Sequence, residues 1–221
     1  MDATVIILFL AIVILTLVIT YYAAKRTKST GDFYTAGGGL TGWQNGLAIA
    51  GDYLSAASFL GIAGMIALNG FDGLFYSLGF LIAYLVVLFL VAEPLRNLGK
   101  YTIADMINSR FDAKKIRGAA ALSTITIVLF YMIAQLVGAG ALIQLLFGID
   151  YWIAVLIVGV MMTIYVLFGG MIATSWVQIT KAVLLMAGMV VISFLVLMKF
   201  NFNISSMFTA VKTATNHGAD Y

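Results

Sequence analysis

The chain has 221 residues, of which 63% are hydrophobic and 10% charged, and its mean hydropathy is +1.08. Soluble domains carry about 25% charged residues, so this composition predicts an integral membrane protein, and the net charge of +3 is assigned to loops rather than to nucleic-acid binding. The absence of cysteine excludes disulfides and thiolate chemistry, and the single histidine, His217, excludes His-based triads and multi-histidine metal sites.

A membrane-spanning helix needs about 20 mostly apolar residues. Six stretches meet this requirement, at about 4–23, 43–66, 73–92, 119–147, 151–169 and 176–199. The first is longer than a signal-peptide core and lacks a small-residue cleavage motif, so we expect it to be retained as a span. The fourth is long enough to predict a strong tilt or an extra helical turn outside the hydrocarbon core.

The orientation in the membrane follows from the distribution of lysine and arginine, which accumulate in cytoplasmic loops. With the N-terminus outside, ten of the twelve basic residues fall on the cytoplasmic side and two, Lys199 and Lys212, fall outside. The ten are Lys25, Arg26, Lys28, Arg96, Lys100, Arg110, Lys114, Lys115, Arg117 and Lys181. The predicted topology therefore places both termini outside.

The inner loop between the third and fourth spans contains the segment TIADMINSRF, which begins at Thr102. Its apolar residues Ile103, Met106, Ile107 and Phe111 recur at helical spacing with polar residues between them. This pattern predicts a short amphipathic helix on the membrane surface.

Asp52 is the one acidic residue well inside a predicted span, in the stretch LAIAGDYLSAASFLG that begins at Leu47. A central aspartate costs roughly 2.5 to 3.5 kcal/mol on translocon scales, so such residues usually face a bundle interior or a watery cavity. Two interpretations follow. Asp52 either hydrogen-bonds a neighbouring helix as a packing residue, or it lines an ion or substrate path.

The residues around Asp52 predict that the second span opens there. Gly51 precedes the acid, and Tyr53, Ser55 and Ser58 follow it, in a segment rich in glycine and alanine. Discontinuous helices of this kind build the midplane sites of secondary transporters, where freed carbonyls bind Na⁺. The positive end of a half-helix suits an anionic substrate.

A second punctuated region, YVLFGGMIATSWVQITK, begins at Tyr165. Gly169 and Gly170 are predicted to end the fifth span, and Thr174 or Ser175 to cap the sixth. A tight cytoplasmic turn between two helices accounts for the glycines without any further role.

The chain resembles the sodium/solute symporter family over nearly its whole length. The resemblance rests on DFYTAGGGLTGWQNGLAIAGDYLSAASFLG from Asp32, on YTIADMINSRF from Tyr101 and on YVLFGGMIATSWVQ from Tyr165. Within the family, the segment GDYLSAASFLGIAGMI looks most like the acetate permease branch, which carries acetate and other short monocarboxylates.

This resemblance implies an all-α integral membrane fold with six transmembrane helices, similar to the inverted-repeat fold of the bacterial leucine transporter. Residues 1–24 would form an extra N-terminal helix, 25–42 a cytoplasmic loop and 43–199 the first five-helix repeat. Residues 200–221 would form a polar extracytoplasmic tail. The second repeat of the family is missing from this chain, which is expected to be either a fragment or a truncated product.

The resemblance also implies a site. Matched on the family pattern, the backbone carbonyls of Gly51 and Leu54 fall where relatives bind sodium, and Tyr53, Ala57 and Ser58 fall where relatives face substrate. Asp52 would act electrostatically on the cation.

Two positions depart from the family pattern. Some relatives carry an acid or amide at the position of Tyr53, whereas here the acid is one residue earlier, at Asp52. Many relatives carry an acid two residues after Trp176, where this chain has Gln178.

The implied function is sodium-coupled or proton-coupled symport of a small carboxylate such as acetate across the plasma membrane. The expected partners are that carboxylate, the lipid bilayer and the missing second repeat, and no nucleic acid. The alternatives are a symporter-like sensory or regulatory module, or another organic solute such as an amino acid or a sugar. An enzyme is not expected, because no span pairs a nucleophile with a base.

Overall fold

The computed structural model describes residues 3–98, 102–111 and 114–214, and these ranges contain helices and connecting turns but no strand. The α-helices are α1 (Ala3–Ala24), α2 (Thr30–Thr35), α3 (Gly42–Tyr53), α4 (Gly61–Asn69), α5 (Phe71–Val86), α6 (Ala92–Leu98), α7 (Ile103–Arg110), α8 (Lys114–Phe147), α9 (Tyr151–Lys199) and α10 (Ile204–Ala214). The chain divides into two compact units, one of Met1–Leu40 with Leu78–Thr174 and the other of Thr41–Ser77 with Ser175–Tyr221. The predicted all-helical class is confirmed.

Among the described residues, four helices are long and apolar enough to cross a membrane, or five if one bent pair is counted as a span. The four are Thr4–Ala24, Phe71–Leu98, Lys114–Phe147 and Val166–Lys199, and the bent pair is Gly42–Tyr53 with Ser58–Asn69. The predicted fifth span coincides with a shorter apolar helix, Tyr151–Ile164. The chain is therefore a multi-pass membrane protein, while the count of six spans and the inverted-repeat fold stay predictions. The long fourth stretch is confirmed as a 34-residue helix.

In the first unit, small residues form the helix contacts and large apolar side chains face outward. Ala154 and Ala173 are fully buried, whereas Phe130 is 71% exposed and Trp152 75% exposed. A side chain added at Gly140 would meet Val155 Cγ2 at 2.5 Å, so α8 and α9 approach closely there. This distribution is expected when lipid rather than water surrounds the helices, because small residues permit close backbone packing.

The predicted loop at 25–42 contains the short helix α2, which begins with a reciprocal cap. The Asp32 amide donates to Ser29 Oγ at 3.0 Å, and Asp32 Oδ2 accepts from the amides of Lys28 at 3.1 Å and Ser29 at 3.0 Å. These backbone and side-chain donors hold the pKa of the Asp32 carboxyl below its usual value, because they stabilise the ionised form.

The predicted amphipathic helix is present as α7. Thr102 caps it, since its Oγ1 accepts from the Asp105 amide at 3.2 Å while Asp105 Oδ2 accepts from the Thr102 amide at 3.1 Å. Arg117 Nη2 lies 3.9 Å from Asp105 Oδ1, and this ion pair connects α7 to the start of α8. The helix itself is confirmed, and its location on the membrane surface stays a prediction.

The glycine pair in α9 interrupts the helix. Gly170 has φ 57 and ψ −160, which an L side chain rarely adopts, and a Cβ there would lie 2.8 Å from Phe33 Cδ2. The predicted break is thus present at the second glycine. The predicted cap was wrong, because Thr174 and Ser175 lie within the helix, where Thr174 Oγ1 donates to the Gly170 carbonyl at 3.0 Å.

The predicted polar tail contains a helix that the sequence pattern did not suggest. α10 follows a turn in which Asn203 Oδ1 accepts from the Ser206 amide at 3.1 Å, and it extends to Ala214. Positions 215–221 of the predicted tail, including His217, lie outside the described residues.

Candidate functional site

The second predicted span is broken at Leu54, two residues after Asp52. α3 ends at Tyr53, and the next arm, Ser58–Asn69, lies at 61° to α3. Leu54, between them, has φ −71 and ψ 68, and the Ser55 amide donates to the Tyr53 carbonyl at 2.8 Å. These values describe an inverse γ-turn centred on Leu54. The opening that the glycine-rich and serine-rich sequence predicted is therefore present.

Two serine side chains connect the two arms of the break. Ser58 Oγ donates to the Tyr53 carbonyl and accepts from the Ser55 amide at 3.0 Å, while Ser55 Oγ accepts from the Ser58 amide at 3.2 Å. Short hydroxyl side chains offer the backbone such alternatives to helical hydrogen bonds. The serines therefore define the local geometry, and Ser58 has a structural role in addition to the substrate contact predicted for it.

The break changes the hydrogen bonding around the two predicted sodium-binding carbonyls. In a continuous α-helix, the carbonyl of Gly51 would accept from the Ser55 amide, and that of Leu54 from the Ser58 amide. Here the Ser55 amide donates to Tyr53 and to Ser58 Oγ, and the Ser58 amide donates to Ser55 Oγ. The amides that would serve these two carbonyls are thus engaged within the break.

Gly51 brings the backbones of α3 and α9 into direct contact within the second unit. It is buried, and a Cβ added there would overlap the carbonyl oxygen of Gln178 and lie 2.6 Å from its carbonyl carbon. Backbone atoms cannot rotate away as a side chain can. Only glycine therefore permits this spacing of the two helices.

The close approach positions a hydrogen bond between the next residue and the same glutamine. Gln178 Nε2 donates to Asp52 Oδ1 at 2.9 Å. Asp52 itself is exposed. The contact to a neighbouring helix is what the packing interpretation of Asp52 predicts, whereas the exposed carboxylate beside a broken helix suits the pathway interpretation, so both remain open.

The face of α9 that carries Gln178 is buried on either side of it. Ser175 is 5% exposed and Ala182 is fully buried, three residues before and four after the glutamine. Gln178 Oε1 is buried and has no hydrogen-bond partner among the described residues. A buried acceptor without a donor is costly. Together with the Asp52 carboxylate, this oxygen gives the site more hydrogen-bond acceptors than donors.

The predicted site residues Gly51, Asp52, Tyr53, Leu54 and Ser58 thus lie together at the break. The side chain of Ala57 lies outside the described part of the structure. Their contacts with ion and substrate stay predictions.

Sequence reasoning assigned no site role to Gln178 and counted Lys181 as a topology signal. The structure places the Gln178 side chain against Asp52 and puts Lys181 within α9, three residues after Gln178. The signal for Gln178 was its departure from the family pattern, since Asp52 and Gln178, the residues of the two noted departures, are hydrogen-bonded to each other.

Comparisons with known proteins identify the family. No solved structure matches the chain. It is 76% identical over all 221 residues to an uncharacterized symporter, YwcA, of Bacillus subtilis (strain 168), and spans 43% of that protein's length. The family described as the sodium:solute symporter family matches residues 33–221. The chain therefore belongs to the sodium:solute symporter family, whose members are solute transporters and in general couple to Na⁺.

Proposed function

We propose that the chain is the first part of a sodium-coupled symporter that imports a small monocarboxylate, such as acetate, by alternating access. The break at Leu54 is the observation that supports this proposal most strongly. A hard cation such as Na⁺ prefers oxygen ligands, and unwound carbonyls of discontinuous helices supply them in secondary transporters. The backbone carbonyls of Gly51 and Leu54 are the groups assigned to Na⁺. The alternative to Na⁺ as the coupling ion is H⁺.

Electrostatics then connect the cation to the anionic solute. A bound cation adds one positive charge beside Asp52, and the arm that begins at Ser58 directs the positive end of its helix dipole toward the break. Tyr53, Ala57 and Ser58 are the side chains assigned to the substrate. Net attraction for a carboxylate arises when the cation is bound, which couples the two binding events.

The proposed location is the plasma membrane, with the N-terminus outside. Because the chain has no cysteine, single cysteines can report its topology. An impermeant maleimide applied to intact cells is expected to label Asn69→Cys, in the turn between the second and third predicted spans, and to leave Lys28→Cys unlabelled. Both positions are exposed in the structure, so access to reagent is not limited by packing. Labelling of Lys28→Cys alone would reverse the proposed orientation.

Transport itself is tested with the complete symporter reconstituted in vesicles. An inward Na⁺ gradient is expected to drive accumulation of labelled acetate, and replacement of Na⁺ by choline to abolish it. Excess unlabelled propionate should compete, while a neutral amino acid and a sugar should not. The 221-residue chain alone is the matched control, and we expect no uptake from it because the second repeat would complete the ion site.

The pattern of competition decides between the alternatives. Accumulation of acetate that follows a proton gradient without Na⁺ would replace the coupling ion in the proposal. Competition by the sugar or the amino acid, with none by propionate, would contradict the assignment of the substrate class.

A further inference from the structure

Lys181 is a half-buried basic residue next to the Asp52 site. It follows Gln178 by three residues on α9, so the two side chains lie on one face of the helix. Gln178 Nε2 donates to Asp52 Oδ1 at 2.9 Å, so Lys181 lies one helical turn from the residue that contacts the carboxylate. A basic residue that served only to orient the chain would not need to lie one turn from the residue that binds the acid of the second span.

The polar groups around Asp52 favour a cation. The site contains a carboxylate and the unpartnered Oε1 of Gln178, against one amide donor, Gln178 Nε2. Tyr53, next to Asp52, is a neutral phenol at ordinary pH. Lys199, at the end of the same helix, lies about 27 Å from Lys181 along the helix axis at 1.5 Å per residue. Within the described residues, the acid bonded to Gln178 is Asp52, and Lys181 lies one helical turn from Gln178.

A charge–charge interaction between Lys181 and Asp52 would act through space. The described residues contain no ion pair between them, and the carboxylate oxygen Oδ1 accepts from Gln178 instead. The ammonium is carried on a flexible four-carbon stem. Approach or withdrawal of this group therefore requires no change in the backbone of α3 or α9.

We propose that the Lys181 ammonium is a tethered cation that neutralises the Asp52 site when no coupling cation is bound, and that the coupling cation must displace it. This proposal rests on the proposed function, because it concerns the same cation site. Lys181 sets the cation affinity: its positive charge lowers the affinity for Na⁺ by competing for the field of Asp52. Lys181 is thus a residue that determines how strongly the site binds a soluble cation.

The test measures binding of ²²Na⁺ to the purified complete symporter in the absence of any solute. Lys181→Gln removes the charge and keeps a polar side chain, and it is expected to lower the half-saturating Na⁺ concentration about tenfold, which corresponds to about 1.4 kcal/mol. Lys181→Arg keeps the charge and should leave the value within about threefold of the wild type. Lys199→Gln removes the same charge from the far end of α9 and should have no effect beyond that range.

A double-mutant cycle identifies the partner. In the Asp52→Asn background, Lys181→Gln should change the half-saturating concentration much less than it does in the wild type, since the field for which the two cations compete is gone. An unchanged or raised half-saturating concentration in Lys181→Gln would overturn the proposal, as would a loss of folded protein with no shift in the remainder.

The same measurement separates this proposal from the proposed function. Absence of acetate uptake by a protein that binds Na⁺ would contradict the substrate assignment and leave the role of Lys181 intact. Binding of Na⁺ by Lys181→Gln but not by the wild type would contradict sodium coupling and support the tethered cation. Absence of binding in both forms would contradict both proposals.

Discussion

Replacement of Gly51 by alanine is expected to destabilise the protein strongly. The added Cβ would overlap the carbonyl oxygen of Gln178 and lie 2.6 Å from its carbonyl carbon, whereas ordinary contacts are 3.4 to 4 Å, so α3 and α9 would have to separate. Overpacking of this kind costs about 1 to 3 kcal/mol, and more where the obstructing atoms belong to the backbone. The midpoint of thermal unfolding in detergent and the yield of monodisperse protein measure the effect.

Gly46 provides a matched control on the same helix. A Cβ added at Gly46 meets no atom within 4 Å, so Gly46→Ala is expected to be neutral or stabilising by up to about 1 kcal/mol through helix propensity. Equal unfolding midpoints for the two variants would show that the close contact between Gly51 and Gln178 does not hold in the folded protein.

Replacement of Asp52 by asparagine is expected to raise the half-saturating Na⁺ concentration of transport at least tenfold. A unit charge about 6 Å from the cation, at an effective dielectric near 20, contributes on the order of 3 kcal/mol before desolvation and screening. A tenfold change requires about 1.4 kcal/mol. Transport at saturating Na⁺ should be affected less.

The substitution separates the charge of Asp52 from its hydrogen bond. The asparagine side chain would retain an oxygen that can accept from Gln178 Nε2, which Asp52 Oδ1 accepts at 2.9 Å. A pure packing role therefore predicts near-normal transport kinetics and at most a reduced amount of folded protein. Asp72→Asn, which removes an exposed charge from the first turn of α5, is the control for net charge. An unshifted half-saturation point in Asp52→Asn, normalised to folded protein, would make Asp52 a helix-packing residue.

Several features of this protein follow from its sequence alone. Apolar length predicts most of the spans, because hydrocarbon accepts a backbone only when its polar groups are bonded within the helix. Local chemistry predicts the interruptions: the glycine-rich and serine-rich segment after Asp52 contains the turn at Leu54, and Gly170 has the positive φ that its glycine pair suggested. The helical spacing of apolar residues in TIADMINSRF predicts α7, because this signal also lies within a short segment of the chain.

Other features depend on contacts between residues far apart in the chain. No local pattern shows that Gly51 lies against the Gln178 carbonyl, or that Gln178 rather than Lys181 is hydrogen-bonded to Asp52, because more than 120 residues separate Asp52 from Gln178. The cap predicted after the glycine break in α9 was wrong and α10 was not predicted, since capping and amphipathic signals in short polar segments are weak. The sequence therefore determines that this is a membrane protein with a broken second span. Tertiary packing determines which groups lie next to the Asp52 carboxylate. The physical reason is that helix formation and bilayer insertion depend on nearest neighbours, whereas electrostatic partners depend on how helices pack.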